Sequence, residues 1–336
     1  MQRCLELASL GAGSVSPNPM VGSVVVHNGK IIGEGYHHKA GEAHAEVNAI
    51  NSVADKSLLK EATVYVNLEP CSHHGKTPPC ADMLVREEVK QVVVGTLDPH
   101  DKVAGTGVKK LLAAGIDVVV GVLEDECNEL NKRFFKSHRA QLPYVILKWA
   151  ETEDGFIAPL GNDNPKQISG EESSRLVHKW RAEEDAIMVG TNTAESDNPK
   201  LNVRHWQGKN PTRIVIDKTL RLPDNLNLFD GSIPTLVFTN KQKESRENVE
   251  YITIPFDNNM LNHLLKELHQ RNILSLLVEG GTQLLTSFIQ ANLWDETKIF
   301  IAPKKLNEGV KAPLHPKGKT STEKVGDDQL ITIKNR

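Results

Sequence analysis

Three residues in the first part of this 336-residue chain can hold one metal ion between them: His44, Cys71 and Cys80. Imidazole and thiolate suit zinc, and three protein ligands leave a fourth position open for water, whereas a closed structural site takes four. Glu46 stands two positions after the histidine. Zinc brings the pKa of its water towards neutrality, so that hydroxide becomes available at physiological pH. A carboxylate that is not a ligand can then carry protons between that water and a leaving group. The same residues allow two blander arrangements. Cys71 and Cys80 could form a disulfide, though nothing else in the chain points to an oxidising compartment. His73 or His74 could close a structural site as a fourth ligand. The placement of Glu46 favours catalysis.

Zinc deaminases carry H-x-E followed by P-C-x-x-C. His44-Ala45-Glu46 matches the first half and Pro70-Cys71 opens the second, but eight residues, not two, separate Cys71 from Cys80. A segment of that length, rich in Gly, Pro, His and Lys, cannot be one helical turn. It must be a loop that leaves the metal and returns, and such a loop can grip a substrate phosphate or ring.

The run Glu69-Pro70-Cys71-Ser72-His73-His74-Gly75-Lys76-Thr77-Pro78-Pro79-Cys80, the upstream HAEVNAI beginning at His44, and Ser16-Pro17-Asn18-Pro19-Met20-Val21-Gly22 resemble the deaminase domain of the bifunctional riboflavin-biosynthesis deaminase–reductases. The resemblance continues through the second half and covers nearly the whole chain. It implies one zinc per chain, Glu46 as the catalytic proton carrier, and deaminase substrate contacts from Asn18, His37, His73 and Lys76. Without it, Asn18 would read as a turn residue between two prolines and His37 as an exposed loop histidine.

The elements that must position these groups follow from pattern. A hairpin of Val21–Val26 and Lys30–Tyr36 turns at Asn28-Gly29. A helix from His44 to about Ala54 puts His44 and Glu46 in its first turn, where free N–H groups and the positive dipole end face the metal. The strand Ala62–Leu68 ends at Glu69, and a helix from Pro79 to Glu88 carries Cys80. Strands Gln91–Gly95 and Ile116–Val120 flank a helix ending at Ala114. Glu124–Lys136 reads as one long helix. Gly105 and Gly107 read as structural glycines at a helix start. Alternating strands and helices predict an α/β domain with helices on both faces of a mostly parallel or mixed sheet. The resemblance implies a cytidine-deaminase-like αβα sandwich.

A chain of this length suits two domains, with the boundary at Ser137–Leu142, giving 1–141 and 142–336. In the second, Lys148 interrupts the apolar strand Pro143–Ala150. Ser169 reads as the cap of a helix at about 170–182, with Glu172 completing a capping box. The apolar strand Ile273–Glu279 runs into Gly280-Gly281-Thr282 at a helix start, where backbone N–H groups can approach a phosphate. Lys311–Asp328 reads as a polar loop before a last strand, Leu330–Lys334. The resemblance implies a dihydrofolate-reductase-like α/β domain that uses NADPH. It places Lys148, Arg181, Leu201, Arg204 and Glu279 at the substrate; an arginine fork suits a phosphate monoester. It places Glu151, Asp154, Gln167, Thr193, Asp197, Gly280, Gly281 and Thr282 at the cofactor. Two departures stand out: many relatives carry Trp where Gln167 stands, and a small residue where Glu151 stands.

With 40 basic and 43 acidic residues the net charge is −3, divided as 15 against 17 up to residue 141 and 25 against 26 beyond it. Neither half has the basic surplus of a domain that grips a nucleic-acid backbone. No apolar run reaches the length of a membrane span, and Met1–Ala8 reads as the start of an amphipathic helix and not as a signal peptide, so a cytoplasmic location is expected. Cys4 and Cys127 read as buried thiols. The resemblance implies hydrolytic deamination of 2,5-diamino-6-(5-phosphoribosylamino)pyrimidin-4-one, followed by NADPH reduction of the ribosyl group to ribityl. It also implies a small-molecule substrate and assembly as a homo-oligomer, with no nucleic-acid or membrane partner. The alternative is a zinc deaminase for another pyrimidine or a nucleic-acid base, with a weakened reductase half.

Overall fold

In a computed structural model, which describes residues 1–72, 78–99, 104–160 and 167–335, the chain folds as two units, Met1–Gln141 and Leu142–Arg336. In the first, helix α1 (Gln2–Ser9) precedes the hairpin of β1 (Gly22–His27) and β2 (Lys30–Tyr36). Helix α2 (Ala45–Ser52), β3 (Thr63–Leu68), α3 (Cys80–Arg86), β4 (Gln91–Thr96), α4 (Thr106–Ala113) and β5 (Asp117–Val120) follow. The sheet runs β2-β1-β3-β4-β5. Its hairpin side is antiparallel and its β3-β4-β5 side parallel. The valines of β3 and β4 (Val64, Val66, Val92 and Val94) meet Ile50 of α2, Leu84 of α3 and Leu111 of α4 in one core.

Two glycines set the position of α2. A Cβ on Gly33 would lie 2.6 Å from the Ala49 carbonyl oxygen, and one on Gly35 would lie 2.6 Å from the Ala49 nitrogen. Only a bare backbone lets the helix lie this close to β2. Its N-terminus, with His44 and Glu46, is thereby fixed beside the end of β3.

The single helix expected over Glu124–Lys136 is instead two, α5 (Glu124–Leu130) and α6 (Lys132–Ala140). The break falls at Asn131, which leaves helical geometry at φ −101°, ψ 21°. Its buried amide accepts the Met20 N–H at 2.8 Å and donates to the Met20 carbonyl at 2.9 Å. The interruption is slight: the Asn131 N–H still reaches the Cys127 carbonyl at 3.3 Å, and its carbonyl takes the Phe135 N–H at 2.9 Å.

The second unit opens with β6 (Tyr144–Thr152) and β7 (Phe156–Ala158). It continues with α7 (Glu171–Glu183), β8 (Ala186–Val189), α8 (Thr191–Asp197), β9 (Thr212–Ile216), β10 (Thr235–Thr239), β11 (Val249–Thr253) and α9 (Met260–Gln270). Then come β12 (Ser275–Val278), α10 (Thr282–Gln290), β13 (Glu296–Ala302), β14 (Val310–Lys311), β15 (Lys319–Val325) and β16 (Asp328–Lys334). One nine-stranded sheet runs β11-β10-β9-β8-β12-β6-β13-β16-β15, and β7 pairs with β14. The sheet is parallel from β11 to β13 and antiparallel in its last two pairings. Leu264, Leu268, Leu285 and Phe288 of α9 and α10 pack with Leu147, Leu276 and Val278 in one core. Val177 and Trp180 of α7 pack with Tyr144, Ile146 and Leu277 in another. The central strands are buried on both faces and so read as continuous apolar runs.

Two expectations are corrected here. Lys311–Asp328 is not all loop: its second half carries β15, which pairs along its whole length with β16. Its residues are polar and almost all exposed, so no apolar period marked it. Helix α7 begins at Glu171 with Gly170 at its cap and no side-chain cap bond from its own segment. The acceptor comes from Asp328 on β16, whose carboxylate takes the Gly170 N–H at 2.7 Å and the Ser173 hydroxyl.

Candidate functional sites

In the first unit the β3 end and the starts of α2 and α3 converge. His44 Nδ1 lies 3.6 Å from Cys71 Sγ and 3.3 Å from Cys80 Sγ, and the three ligand atoms fall within 4.8 Å of one another. Bonds of about 2.1 Å to nitrogen and 2.3 Å to sulfur in a tetrahedron place N and S about 3.6 Å apart, so the donor set and its spacing fit zinc. The Cys80 N–H donates to Cys71 Sγ at 3.3 Å. A hydrogen bond from the Cys80 thiol, then the one to His44, pulls the Cys71 thiol well below its ordinary range. One thiolate is thus already favoured before a cation adds its charge.

Glu46, in the first turn of α2, is 3% exposed. Burial, then the charge on Cys71, pushes its carboxyl up to about 7. A carboxyl held in that range can both accept and release a proton near neutral pH.

His37 and Asn18 form the adjoining wall. His37 Nδ1 is 3.0 Å from the Ala43 carbonyl, which can only accept, so Nδ1 carries the proton. Burial depresses its pKa and keeps the ring neutral, leaving Nε2 to accept from the Asn18 amide at 3.0 Å. The ring stands edge-on to that of His44 at 5.6 Å. His73 and Lys76 lie outside the described residues.

Glu69, one residue before Pro70-Cys71, was not singled out from sequence. Its buried carboxylate accepts N–H groups from Asp98, Gly105, Gly107 and Val108 at 2.8–3.3 Å. It thereby ties the start of α4 to the metal strand, and the glycines there serve this anchor. Its place in the run before the first cysteine was the available signal.

In the second unit a cleft of about 940 Å³ opens along β6 and the starts of α8 and α10. Lys148, Gln167, Thr193, Asp197, Glu279, Gly280, Gly281 and Thr282 line it. Gly281 has φ +68°, and a Cβ there would sit 2.9 Å from Thr193 Oγ1. This turn delivers the first N–H groups of α10, which lack intrahelical partners, to the cleft. Volume and helix start fit a dinucleotide carrying phosphates.

Arg181 and Glu279 form a fork of two bonds, 2.8 and 2.7 Å, beside the cleft. Burial opposes ionisation of Glu279, but the charge and hydrogen bonds of Arg181, then Lys148 and His178, outweigh it and hold the carboxyl at about 2. Lys148 reaches the cleft and is half-buried. Burial lowers its pKa, Glu279 opposing and Arg181 adding to the effect. Arg204 is exposed, and its N–H donates to His178 Nδ1 at 3.1 Å. His178, which sequence reasoning passed over, is pushed down to about 4 by burial, then by Arg181 and Arg204; as a neutral ring it accepts that bond and holds the Arg204 segment. Leu201 is buried in the core with φ +47° and presents no side chain to the cleft.

Two residues expected at the cofactor are placed differently. Asp154 accepts from the Thr152 hydroxyl and from the Leu306 and Asn307 N–H groups, which lower its pKa with the Thr152 bond first. Glu151 is buried, with its carboxylate against Trp149 and His315. Neither is among the cleft-lining residues.

Residues 143–332 match the family description "RibD C-terminal domain", and residues 1–96 match "Cytidine and deoxycytidylate deaminase zinc-binding region". The chain is 44% identical over 317 residues to the riboflavin biosynthesis protein RibD of Aquifex aeolicus, covering 92% of this chain and 88% of that protein. Among solved structures it is similar to a diaminohydroxyphosphoribosylaminopyrimidine deaminase/5-amino-6-(5-phosphoribosylamino)uracil reductase from Thermotoga maritima. That match has a TM-score of 0.91 at 36% identity and covers 100% of this chain and 97% of the other. RibD of Acinetobacter baumannii follows at 0.87 and 35%, covering 100% of this chain and 98% of that one. These matches span both units, which disfavours a deaminase for another base with a vestigial second half. No helix among the described residues is long and apolar enough to cross a membrane. With a zinc-deaminase unit and a reductase unit on one chain, each matched along most of its length, the protein belongs to the RibD family, the bifunctional deaminase–reductases of riboflavin biosynthesis, which use zinc and NADPH.

Proposed function

We propose that the unit up to residue 141 deaminates 2,5-diamino-6-(5-phosphoribosylamino)pyrimidin-4-one and that the unit from residue 142 reduces the ribosyl group of the product to ribityl with NADPH. The convergence of His44, Cys71 and Cys80 within 4.8 Å, with buried Glu46 two positions after His44 in the first turn of α2, carries the first assignment. Zinc, when bound, brings the pKa of water close to neutrality. Glu46 takes the proton that water loses on attacking ring carbon 2 and passes it to the ring nitrogen; it then takes the proton of the newly added hydroxyl and gives it to the departing amino group. The C–N bond breaks, the carbonyl forms and ammonia leaves. Neutral His37, with Asn18 fixed on its Nε2, forms the wall against which the ring is oriented, and His73 and Lys76 are assigned to the same substrate.

In the second unit NADPH, when bound, supplies a hydride. Gly280, Gly281 and Thr282 at the start of α10, with Thr193, Asp197 and Gln167, line its place. The Arg181–Glu279 fork and Arg204 receive the sugar and its phosphate. Lys148 stands where it can supply the proton that completes reduction, since burial lowers its pKa and makes its ammonium a readier donor. The substrate is a small molecule, the location cytoplasmic, and the assembly a homo-oligomer.

Glu46→Gln tests the reading. We expect ammonia release to fall by at least about 10³-fold, within the range that general acid–base catalysis contributes. Zinc content should stay at one per chain, and NADPH-dependent reduction of supplied deaminated intermediate should persist. Retained deamination would remove Glu46 from the mechanism.

A further inference from the structure

We propose that a small cavity beside the reductase cleft, lined by Arg175 and His205, seats the phosphate of the ribosyl substrate. The proposal rests on the assignment of the cleft to reduction of a phosphoribosyl compound. The cavity holds about 280 Å³, and Gln167, Ser169, Glu171, Ser174, Arg175 and His205 line it. Each of these side chains is polar. Gln167 and Ser169 also line the cleft, so the two spaces meet there. A polar space of this size is small for a whole ligand and suits a compact charged group at the end of a longer one.

The sign of that charge follows from α7. Arg175, His178 and Arg181 stand three residues apart on the helix, which puts them on one face. The segment after Leu201 lies against that face. Its Arg204 N–H donates to His178 Nδ1 at 3.1 Å, and the His205 ring stands edge-on to that of His178 at 4.8 Å. Arg175, Arg181 and Arg204 are thereby gathered about one stretch of α7.

Their charges are not equally committed. Arg181 is nearly buried and bound by two bonds to Glu279. Arg175 pairs with Glu171, one turn back, at 2.8 Å, and these side chains are 62% and 77% exposed. An exposed pair of this kind contributes little, so a phosphate that takes the guanidinium fork displaces the carboxylate at small cost. The Ser169 and Ser174 hydroxyls and the His205 ring can donate to the same anion. Reduction takes place at carbon 1 of the ribosyl group, whereas the phosphate stands on carbon 5. Its seat must therefore lie to one side of the reacting centre, as this cavity lies to one side of the cleft.

The test uses the full chain at saturating NADPH and compares the deaminated substrate with its dephosphorylated form. Arg175→Ala should raise KM for the phosphorylated compound about tenfold or more, the weight of a hydrogen bond to a charged group. For the dephosphorylated compound KM should move less than about twofold, as should the Kd of NADPH read from its fluorescence. Arg175→Lys, which keeps the charge and loses the fork, should recover part of the loss. Glu171→Gln removes the competing carboxylate and should lower KM for the phosphorylated compound about twofold. Unchanged KM in Arg175→Ala, an equal loss with both compounds, or a raised KM in Glu171→Gln would overturn the proposal. A parent protein that reduces neither compound would instead overturn the reductase assignment, and the proposal with it.

Discussion

Glu279→Gln separates the electrostatic account of the reductase site from a purely geometric one. Arg181 and Glu279 are nearly buried, with side chains 12% and 7% exposed, so solvent screens their attraction little. The Glu279 carboxyl falls from 4.5 to about 2. At about 1.4 kcal/mol per pH unit this corresponds to about 3 kcal/mol of folding stability. Breaking a buried pair from one side costs about 3–5 kcal/mol, because the remaining charges lose their partner. Here those charges are Arg181 and Lys148. The sign follows from the depressed pKa: the contribution is complete above pH about 4.5 and is lost as pH falls through about 2. All four tryptophans, Trp149, Trp180, Trp206 and Trp294, lie beyond residue 141. Tryptophan fluorescence during urea unfolding therefore reports the second unit alone. We expect the variant to be about 3 kcal/mol less stable at pH 7, and the gap to narrow only as pH drops below about 4.5. A gap under about 1 kcal/mol at neutrality, or one that widens on acidification, would refute the reasoning.

Two further changes test how the cleft and its frame are built. Gly281→Ala puts a methyl group 2.9 Å from Thr193 Oγ1 at a φ of +68°. A left-handed L-residue alone costs about 1–2 kcal/mol, so NADPH binding measured by fluorescence titration should weaken about tenfold; unchanged affinity would remove the turn from the cofactor site. Asp328→Ala takes away the acceptor at the start of α7 and should cost about 1–2 kcal/mol in the same urea assay. No loss would show that α7 does not depend on the last strand.

The metal residues were legible because ligand chemistry constrains residue type and spacing at once. His44, Glu46 and Cys80 could be placed on helix starts, and Cys71 just past a strand end, before any coordinates. The continuous apolar strands, such as Ile273–Glu279, were legible for the same kind of reason: burial on both faces leaves only one class of residue. What failed was local structure decided by distant partners. The helix is interrupted at Asn131 although its periodicity runs on, at the residue whose amide serves Met20, 111 residues away. The cap of α7 is Asp328, 158 residues away from Gly170. The exposed strand β15 is held by β16 and carries no apolar signature. For Glu151 and Asp154 resemblance supplied a position, but their carboxylates turn to partners inside the protein. Sequence could not show that direction.

The strand order of the two sheets gives them different histories on the ribosome. In the first, Ser23 of β1 meets Val66 of β3 soon after both emerge. In the second, β6 is among the first strands made and sits well inside the sheet. Its neighbours come late: Tyr144 pairs with Ser275 and Ile146 with Glu296. At about 5–20 residues per second the nascent chain carries β6 with both edges open for roughly ten seconds. An apolar strand with open edges is a template for wrong partners, so the strand that bears Lys148 is also where the emerging chain most needs shielding by chaperones.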